Sequence, residues 1–147
     1  METIAAPIQE ISILVVEDEA ITLECLVSTL AKKFPSVTLY KALDGITGLE
    51  IFKTHTPDIV ITDLNMPEIS GVQMADKIRK IKPDAKFIVL TGYGYTDNLA
   101  LQDSERNAFE IDHYIVKPVD FQELFAAIEQ CIDEIAQSNA HIGPNRI

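Results

Sequence analysis

The chain predicts an α/β fold: a doubly wound, parallel, five-stranded sheet with helices on both faces. Two observations predict it. Short runs of β-branched and other apolar residues recur along the chain, and longer stretches of helical period separate them. The inner runs are apolar at successive positions, which implies burial on both faces and therefore a parallel sheet. With 147 residues, the chain has the length of one ordinary domain, with a folded radius of gyration of roughly 15 Å.

The elements follow in order. Residues 12–16 (SILVV) form the first strand, apolar nearly throughout. Leu23, Leu26, Val27, Leu30 and Phe34 then recur at spacings of three and four, the stripe of an amphipathic helix, which Pro35 stops. Residues 37–40 (VTLY) are more amphipathic and belong nearer an edge of the sheet. A second helix follows. Gly48 lies inside it and costs about 1 kcal/mol against Ala. Residues 59–62 (IVIT) and 87–90 (FIVL) read as buried strands. Between them Val72, Ala75, Ile78 and Ile81 mark a third helix, stopped by Pro83. Residues 114–116 (YIV) give a short fifth strand that leads into Lys117-Pro118. The last helix has the clearest stripe: Phe121, Leu124, Phe125, Ile128, Cys131, Ile132 and Ile135. Asp120 followed by Glu123 is a capping box at its start.

Strand and helix thus alternate five times, which calls for right-handed crossovers and one sheet covered on both sides. Residues 1–10 read as a leader, 11–137 as the domain, and 138–147 as a polar tail or the start of a linker. The segment 94–107 is mostly polar, with Leu99 and Leu101 its main apolar residues, so a fourth helix there has few anchors.

Composition excludes several classes. Hydrophobic residues make up 47% of the chain, enough for a sizeable core, and the formal net charge is −11. A surface this acidic repels phosphate backbones, so direct nucleic-acid binding is not expected. No apolar run reaches the ~20 residues of a membrane span, and the N-terminus lacks the basic and apolar regions of a signal peptide. Cys25 and Cys131 lie inside helical patterns and read as small buried hydrophobes in a reducing compartment. The expected location is the cytoplasm. His55, His113 and His141 have no metal-ligand spacing and read as surface or packing residues.

The chemistry gathers where strands end. Glu17 and Asp18 follow the first strand, Asp63 follows the third, Thr91 ends the fourth and Lys117 ends the fifth. All five polar groups lie at the carboxyl edge of the sheet, where open α/β folds bind ligands at the reversal of strand order. Sheets of this size commonly take the order 2-1-3-4-5; with that order, the reversal falls between strands one and three, which carry the three acids. Crowded carboxylates call for a cation, and an oxygen ligand set suits Mg²⁺, with Mn²⁺ as its substitute. Lys117 supplies an ammonium and Thr91 a hydroxyl donor. Such a pocket suits phosphoryl transfer, with Asp63 as nucleophile.

The segments ILVVEDE at 13–19, DIVITDLNMPEISG at 58–71, FIVLTGY at 87–93 and YIVKP at 114–118 resemble the receiver domains of two-component response regulators. The resemblance covers residues 11–137, and the D-x-x-M-P-x-x-x-G segment and the Lys-Pro pair are its specific parts. It implies a flavodoxin-like (βα)5 fold of strand order 2-1-3-4-5. It implies Asp63 as phosphoacceptor. Asp18, Asp63 and the backbone carbonyl of Asn65 would be metal ligands, with Glu17 acting through water. Thr91 and Tyr114 would be the switch pair, Lys117 the phosphate-sensing lysine, and Lys117–Pro118 a cis peptide. Asn65 and Tyr93 would flank the path of the hydrolytic water. The implied partners are a sensor histidine kinase or phosphotransfer protein, and a second copy of the chain in a homodimer.

The sequence departs from the family pattern in places. Glu17 stands where Asp is frequent, and Gly92 where a small Ala is usual. The stretch from Thr91 to Lys117 is longer than is common, and Phe109-Glu110-Ile111-Asp112 replaces the usual Gly-Ala before the fifth strand. The expected activity is self-phosphorylation and self-dephosphorylation rather than turnover of a substrate. An aspartate-nucleophile phosphatase would want an acid two residues after Asp63, where Asn65 stands. A flavin carrier would want a hydroxyl- and glycine-rich loop after the first strand, where Glu17-Asp18-Glu19 would repel phosphate. A degenerate receiver acting only as a docking module would lack a key residue, and none is missing.

Overall fold

The computed structural model describes residues 10–64, 66, 69, 71–92 and 111–142, the side chains of 71, 72 and 139–142 excepted. Nine elements fall within them: β1 (Ser12–Val16), α1 (Ala20–Lys33), β2 (Thr38–Ala42), α2 (Gly45–His55), β3 (Ile59–Asp63), α3 (Gly71–Ile81), β4 (Lys86–Thr91), β5 (His113–Val116) and α4, the C-terminal helix (Phe121–Ile142). The segment 94–107, where the sequence has few apolar anchors, lies outside the described residues. The strands form one parallel sheet of order β2-β1-β3-β4-β5. The more amphipathic β2 is at one edge, as its pattern predicts.

Side chains alternate across a strand, and this splits the core in two. Ile13, Val15, Ile59, Ile61, Ile88, Leu90 and Ile115 face α1 and α4, where Leu23, Leu26, Leu30, Leu124, Ile128 and Cys131 meet them. Leu14, Val16, Val60 and Phe87 face the other way, against Leu49 and Phe52 of α2 and Met74, Ala75 and Ile78 of α3. Each fully buried Leu, Ile or Phe contributes about 1.5–3 kcal/mol, so both stripes read from the sequence are needed to hold the sheet.

Side chains also fix the ends of elements. Asp44 caps α2 and accepts the Thr47 N–H at 2.7 Å. Asp120 caps α4 and accepts from the Gln122 N–H at 2.9 Å. At the amino edge of the sheet, Asp58 accepts the Ser12 N–H at 2.9 Å and Asp112 accepts the Phe87 N–H at 2.7 Å. Each of these two acids precedes a strand and ties its start to the neighbouring strand, which helps fix the register that aligns the opposite edge.

Some expectations shift. β2 begins and ends later than 37–40, β4 is longer by one residue at each end, β5 starts one residue earlier, and β3 runs one residue further, so Asp63 is the last residue of its strand. Ile81, the last residue of α3, is exposed. Cys25 is also exposed, lying off the Leu23–Leu26–Leu30 stripe, whereas Cys131 is buried; both are free thiols. His55 stacks on Tyr40 with centroids 4.4 Å apart. No described helix is long and apolar enough to cross a membrane.

Candidate functional site

The alternation that builds the core also aims the site. Ile13 and Val15 face α1 and α4, so Glu17 continues their column. In the same way Asp63 continues Ile59 and Ile61, and Lys117 continues Ile115. The three polar groups sit one step beyond three apolar columns, at the carboxyl edge of β1, β3 and β5. Thr91 belongs to the opposite column, after Phe87, and Tyr114 lies opposite to Ile115. In the register Val89 pairs with Tyr114 and Thr91 with Val116. Thr91 and Tyr114 therefore share the face of the sheet turned away from α1 and α4.

Lys117 Nζ donates to Asp63 Oδ2 at 2.7 Å and to Glu17 Oε1 at 3.2 Å. Glu17 is fully buried and Asp63 is 8% exposed. The other Glu17 oxygen accepts the Glu19 N–H at 3.1 Å. Burial pushes the Glu17 carboxyl above its ordinary range, and the Glu19 amide and the Lys117 ammonium offset only part of that. Burial alone would lower Lys117, but its hydrogen bonds to and the charges of Asp63 and Glu17 outweigh it, and the ammonium is held above its usual value.

Asp18 completes the acid group from an exposed position. Carboxylate oxygens of Glu17, Asp18 and Asp63 all lie within 4.8 Å of one another. The set is all oxygen and gathers three acids from two neighbouring strand ends, so the residues fit a hard divalent cation.

Thr91 is buried, and its hydroxyl donates to the Gly92 carbonyl at 3.0 Å. Tyr114 is 39% exposed. Among the described residues, nothing lies within 4 Å of a Cβ built at Gly92. The Lys117–Pro118 peptide is cis. Asn65 and Tyr93 lie outside the described residues. The sequence reading did not foresee the hydrogen bond between Glu17 and Lys117, which are 100 positions apart; counting two residues on from Val15 and from Ile115 would have put them on one face. It also passed over Thr62, a buried hydroxyl that donates to the Asp63 carbonyl at 2.9 Å.

A single parallel sheet of this order, with an acid group and a lysine at its carboxyl edge, defines a doubly wound α/β domain with a polar site where the strand order reverses. The response regulator receiver domain family matches residues 13–129, and the chain belongs to it. It is thus a receiver domain of the two-component response regulators. It is 29% identical over 130 residues to the transcriptional regulatory protein YesN of Bacillus subtilis, covering 88% of this chain and 34% of that protein. It is 31% identical over 130 residues to a response regulatory protein of Vibrio cholerae, covering 88% of this chain and 52% of the other. The chain thus spans about a third of the first of these relatives and about half of the second. Among solved structures, a response regulator receiver domain protein from Clostridium thermocellum superposes with a TM-score of 0.76 at 33% identity, covering 86% of this chain and 98% of that one.

Proposed function

We propose that Asp63 accepts a phosphoryl group from the phosphohistidine of a sensor histidine kinase or phosphotransfer protein, and that the product shifts the domain between two conformations read by a partner or output domain. The observation that carries this reading is the bridge from Lys117 to both Asp63 and Glu17. In the transfer an Asp63 carboxylate oxygen attacks phosphorus. The phosphorus–nitrogen bond breaks, and its electron pair returns to the imidazole, which takes up a proton. Lys117 can pass from Asp63 to a phosphoryl oxygen while keeping Glu17, so its charge stays paired throughout.

Glu17, Asp18, Asp63 and the Asn65 carbonyl would hold Mg²⁺, or Mn²⁺ in its place, which when bound supplies positive charge to the phosphoryl oxygens. The Thr91 hydroxyl would turn from the Gly92 carbonyl toward the new phosphoryl group, and Tyr114, on the same face, would move inward to fill the space it leaves. Asn65 is no acid, which argues against turnover of external phosphoesters and for self-phosphorylation alone. Pairing with a second copy and a cytoplasmic location belong to the same reading.

The test is intact mass after incubation with Mg²⁺ and a small acyl-phosphate donor. One added phosphoryl group is expected in the wild type and none in Asp63→Asn. Equal labelling of both proteins would overturn the assignment.

A further inference from the structure

Thr62 occupies a place in the sheet that suits valine. It pairs with Val16 of β1 on one side and with Val89 of β4 on the other. The three β-branched residues form a row across the middle strands, on the face that Val16, Val60 and Phe87 turn toward α2 and α3. All three are buried. Valine has the shape of threonine and no hydroxyl, and a hydroxyl taken out of water is costly unless it finds a partner. The oxygen of Thr62 thus adds nothing to the packing of this row, and its role lies in the bond it makes.

That bond runs to the Asp63 carbonyl, at 2.9 Å. The same peptide unit carries the Leu64 N–H, which donates to the Leu90 carbonyl of β4 at 3.1 Å. In a trans peptide the C=O and N–H point in opposite directions, so with the N–H turned toward β4 the carbonyl turns toward β1. Pairing of β1 with β3 ends at Val16 and Thr62, whereas pairing of β3 with β4 reaches Asp63 and Leu90. The Thr62 hydroxyl therefore holds the carbonyl on the side where strand pairing has already stopped. With the preceding peptide held in the sheet and this one held at both ends, the Cα–Cβ bond of Asp63 has one direction, and the carboxylate meets Lys117 Nζ at 2.7 Å.

We propose that Thr62 is a positioning residue for phosphoryl transfer. Its hydroxyl fixes the peptide that follows Asp63 and so aims the carboxylate oxygen that attacks phosphorus. Thr62 faces α2 and α3 while Asp63 faces the other side of the sheet, so Thr62 acts through the backbone alone. This rests on the reading of Asp63 as phosphoacceptor, and goes beyond it in assigning the aim of the nucleophile to a residue outside the acid group.

The experiment measures, for the whole chain, the melting temperature without metal and the initial phosphorylation rate with acetyl phosphate at saturating Mg²⁺. Thr62→Val keeps the side-chain shape and gains apolar contact, while the Asp63 carbonyl loses a donor. Its melting temperature should therefore stay within a few degrees of the wild type. Its rate at saturating donor should fall about tenfold, a modest part of the loss that misaiming a reacting group causes. The half-saturating donor concentration should not change. Thr62→Ser keeps the hydroxyl and loses a buried methyl, so it should be less stable than Thr62→Val yet regain most of the rate. Stability and rate then rank the two variants in opposite orders, which a packing role cannot produce. A wild-type rate in Thr62→Val, or a Thr62→Ser protein as slow as Thr62→Val, overturns the proposal. If Thr62→Val does not fold, Thr62→Ser and Thr62→Ala, which differ by the hydroxyl alone, decide the question, and equal rates there overturn it. Labelling of the wild type that persists in Asp63→Asn would overturn the reading of Asp63 and this proposal with it. Labelling that Asp63→Asn abolishes and Thr62→Val leaves at full rate overturns this proposal alone.

Discussion

Lys117 Nζ lies 2.7 Å from Asp63 Oδ2 although 54 positions separate the two residues, and it holds the buried Glu17 carboxylate with the same ammonium. One cation thus pairs two acids that would otherwise repel at the end of β1 and β3. The pairing also stores a ready partner for charge that arrives later, since the ammonium can turn from one acid without abandoning the other.

Lys117→Met removes that shared partner. Without metal the variant should lose about 1–2 kcal/mol, the cost of leaving a buried carboxylate unpaired, kept to the low end because the Lys117 side chain is 29% exposed. Mg²⁺ should restore more of the melting temperature to the variant than it adds to the wild type, because it supplies the missing positive charge. Equal gains in the two proteins would contradict this.

Asp18→Ala should act in the opposite sense. Asp18 is exposed and adds negative charge beside Glu17 and Asp63. Its removal should keep or raise the metal-free melting temperature and weaken Mg²⁺ binding, since like charges in one site oppose each other until a cation joins them. Undiminished Mg²⁺ affinity would remove Asp18 from the ligand set.

Tyr93 follows Thr91 by two positions, and we propose that its ring covers a phosphoryl group on Asp63. Hydrolysis needs water roughly in line with the breaking bond, so a covering ring slows it. Tyr93→Ala should shorten the acyl-phosphate half-life several-fold, while labelling by a small donor stays near the wild-type rate. A half-life that is unchanged or longer would end the shielding role.

Cys131 gives a pH prediction. Burial, with the Asp112 and Glu134 charges adding to it, pushes its thiol up to about 12 from an ordinary 9.0. The folded state therefore keeps a proton that the unfolded chain releases. Stability from this group is complete below about pH 9 and is lost as pH rises toward 12. Chemical denaturation at stepped pH should show a shallower alkaline decline in Cys131→Val than in the wild type. At neutral pH a thiol reagent should label exposed Cys25 in the native protein and reach Cys131 only on unfolding.

Gly48→Ala tests the packing of α2. Alanine gains about 1 kcal/mol of helix propensity, but its Cβ would stand 2.9 Å from Val16 Cγ2 and 3.3 Å from the Met74 sulfur. Val16 is buried and stiff, so overpacking of about 1–3 kcal/mol wins. The melting temperature should fall by a few degrees, and a rise would show that Val16 can yield.

Much of the fold was legible because two periods differ so plainly. The runs at 12–16, 59–62 and 87–90 are apolar on both faces, as strands covered by helices must be, and the stripe from Phe121 to Ile135 admits one orientation. Ile81 misled because a helical stripe does not say where the helix ends. Gly48 read as a weak helix former and proved to be a close approach to Val16, a tertiary fact that no local pattern carries. At the site, the residues at strand ends were legible one by one. The sharing of Lys117 by Glu17 and Asp63 was not, because it depends on which columns of the sheet lie together.

The placement of Glu17, Asp63 and Lys117 one step beyond apolar columns restricts how the chain can vary in length. Deleting one residue between Ile59 and Asp63 would turn the acid toward α2 and α3 and bring Thr62's successor out of reach of Lys117 altogether. Deleting two would restore the facing but withdraw the carboxylate by about 6.6 Å, two strand rises. Neither product can be repaired by a rotamer. Insertions and deletions compatible with the chemistry are therefore confined to the connections, so that β1, β3 and β5 serve as rulers of fixed length while the loops between them remain free to diversify.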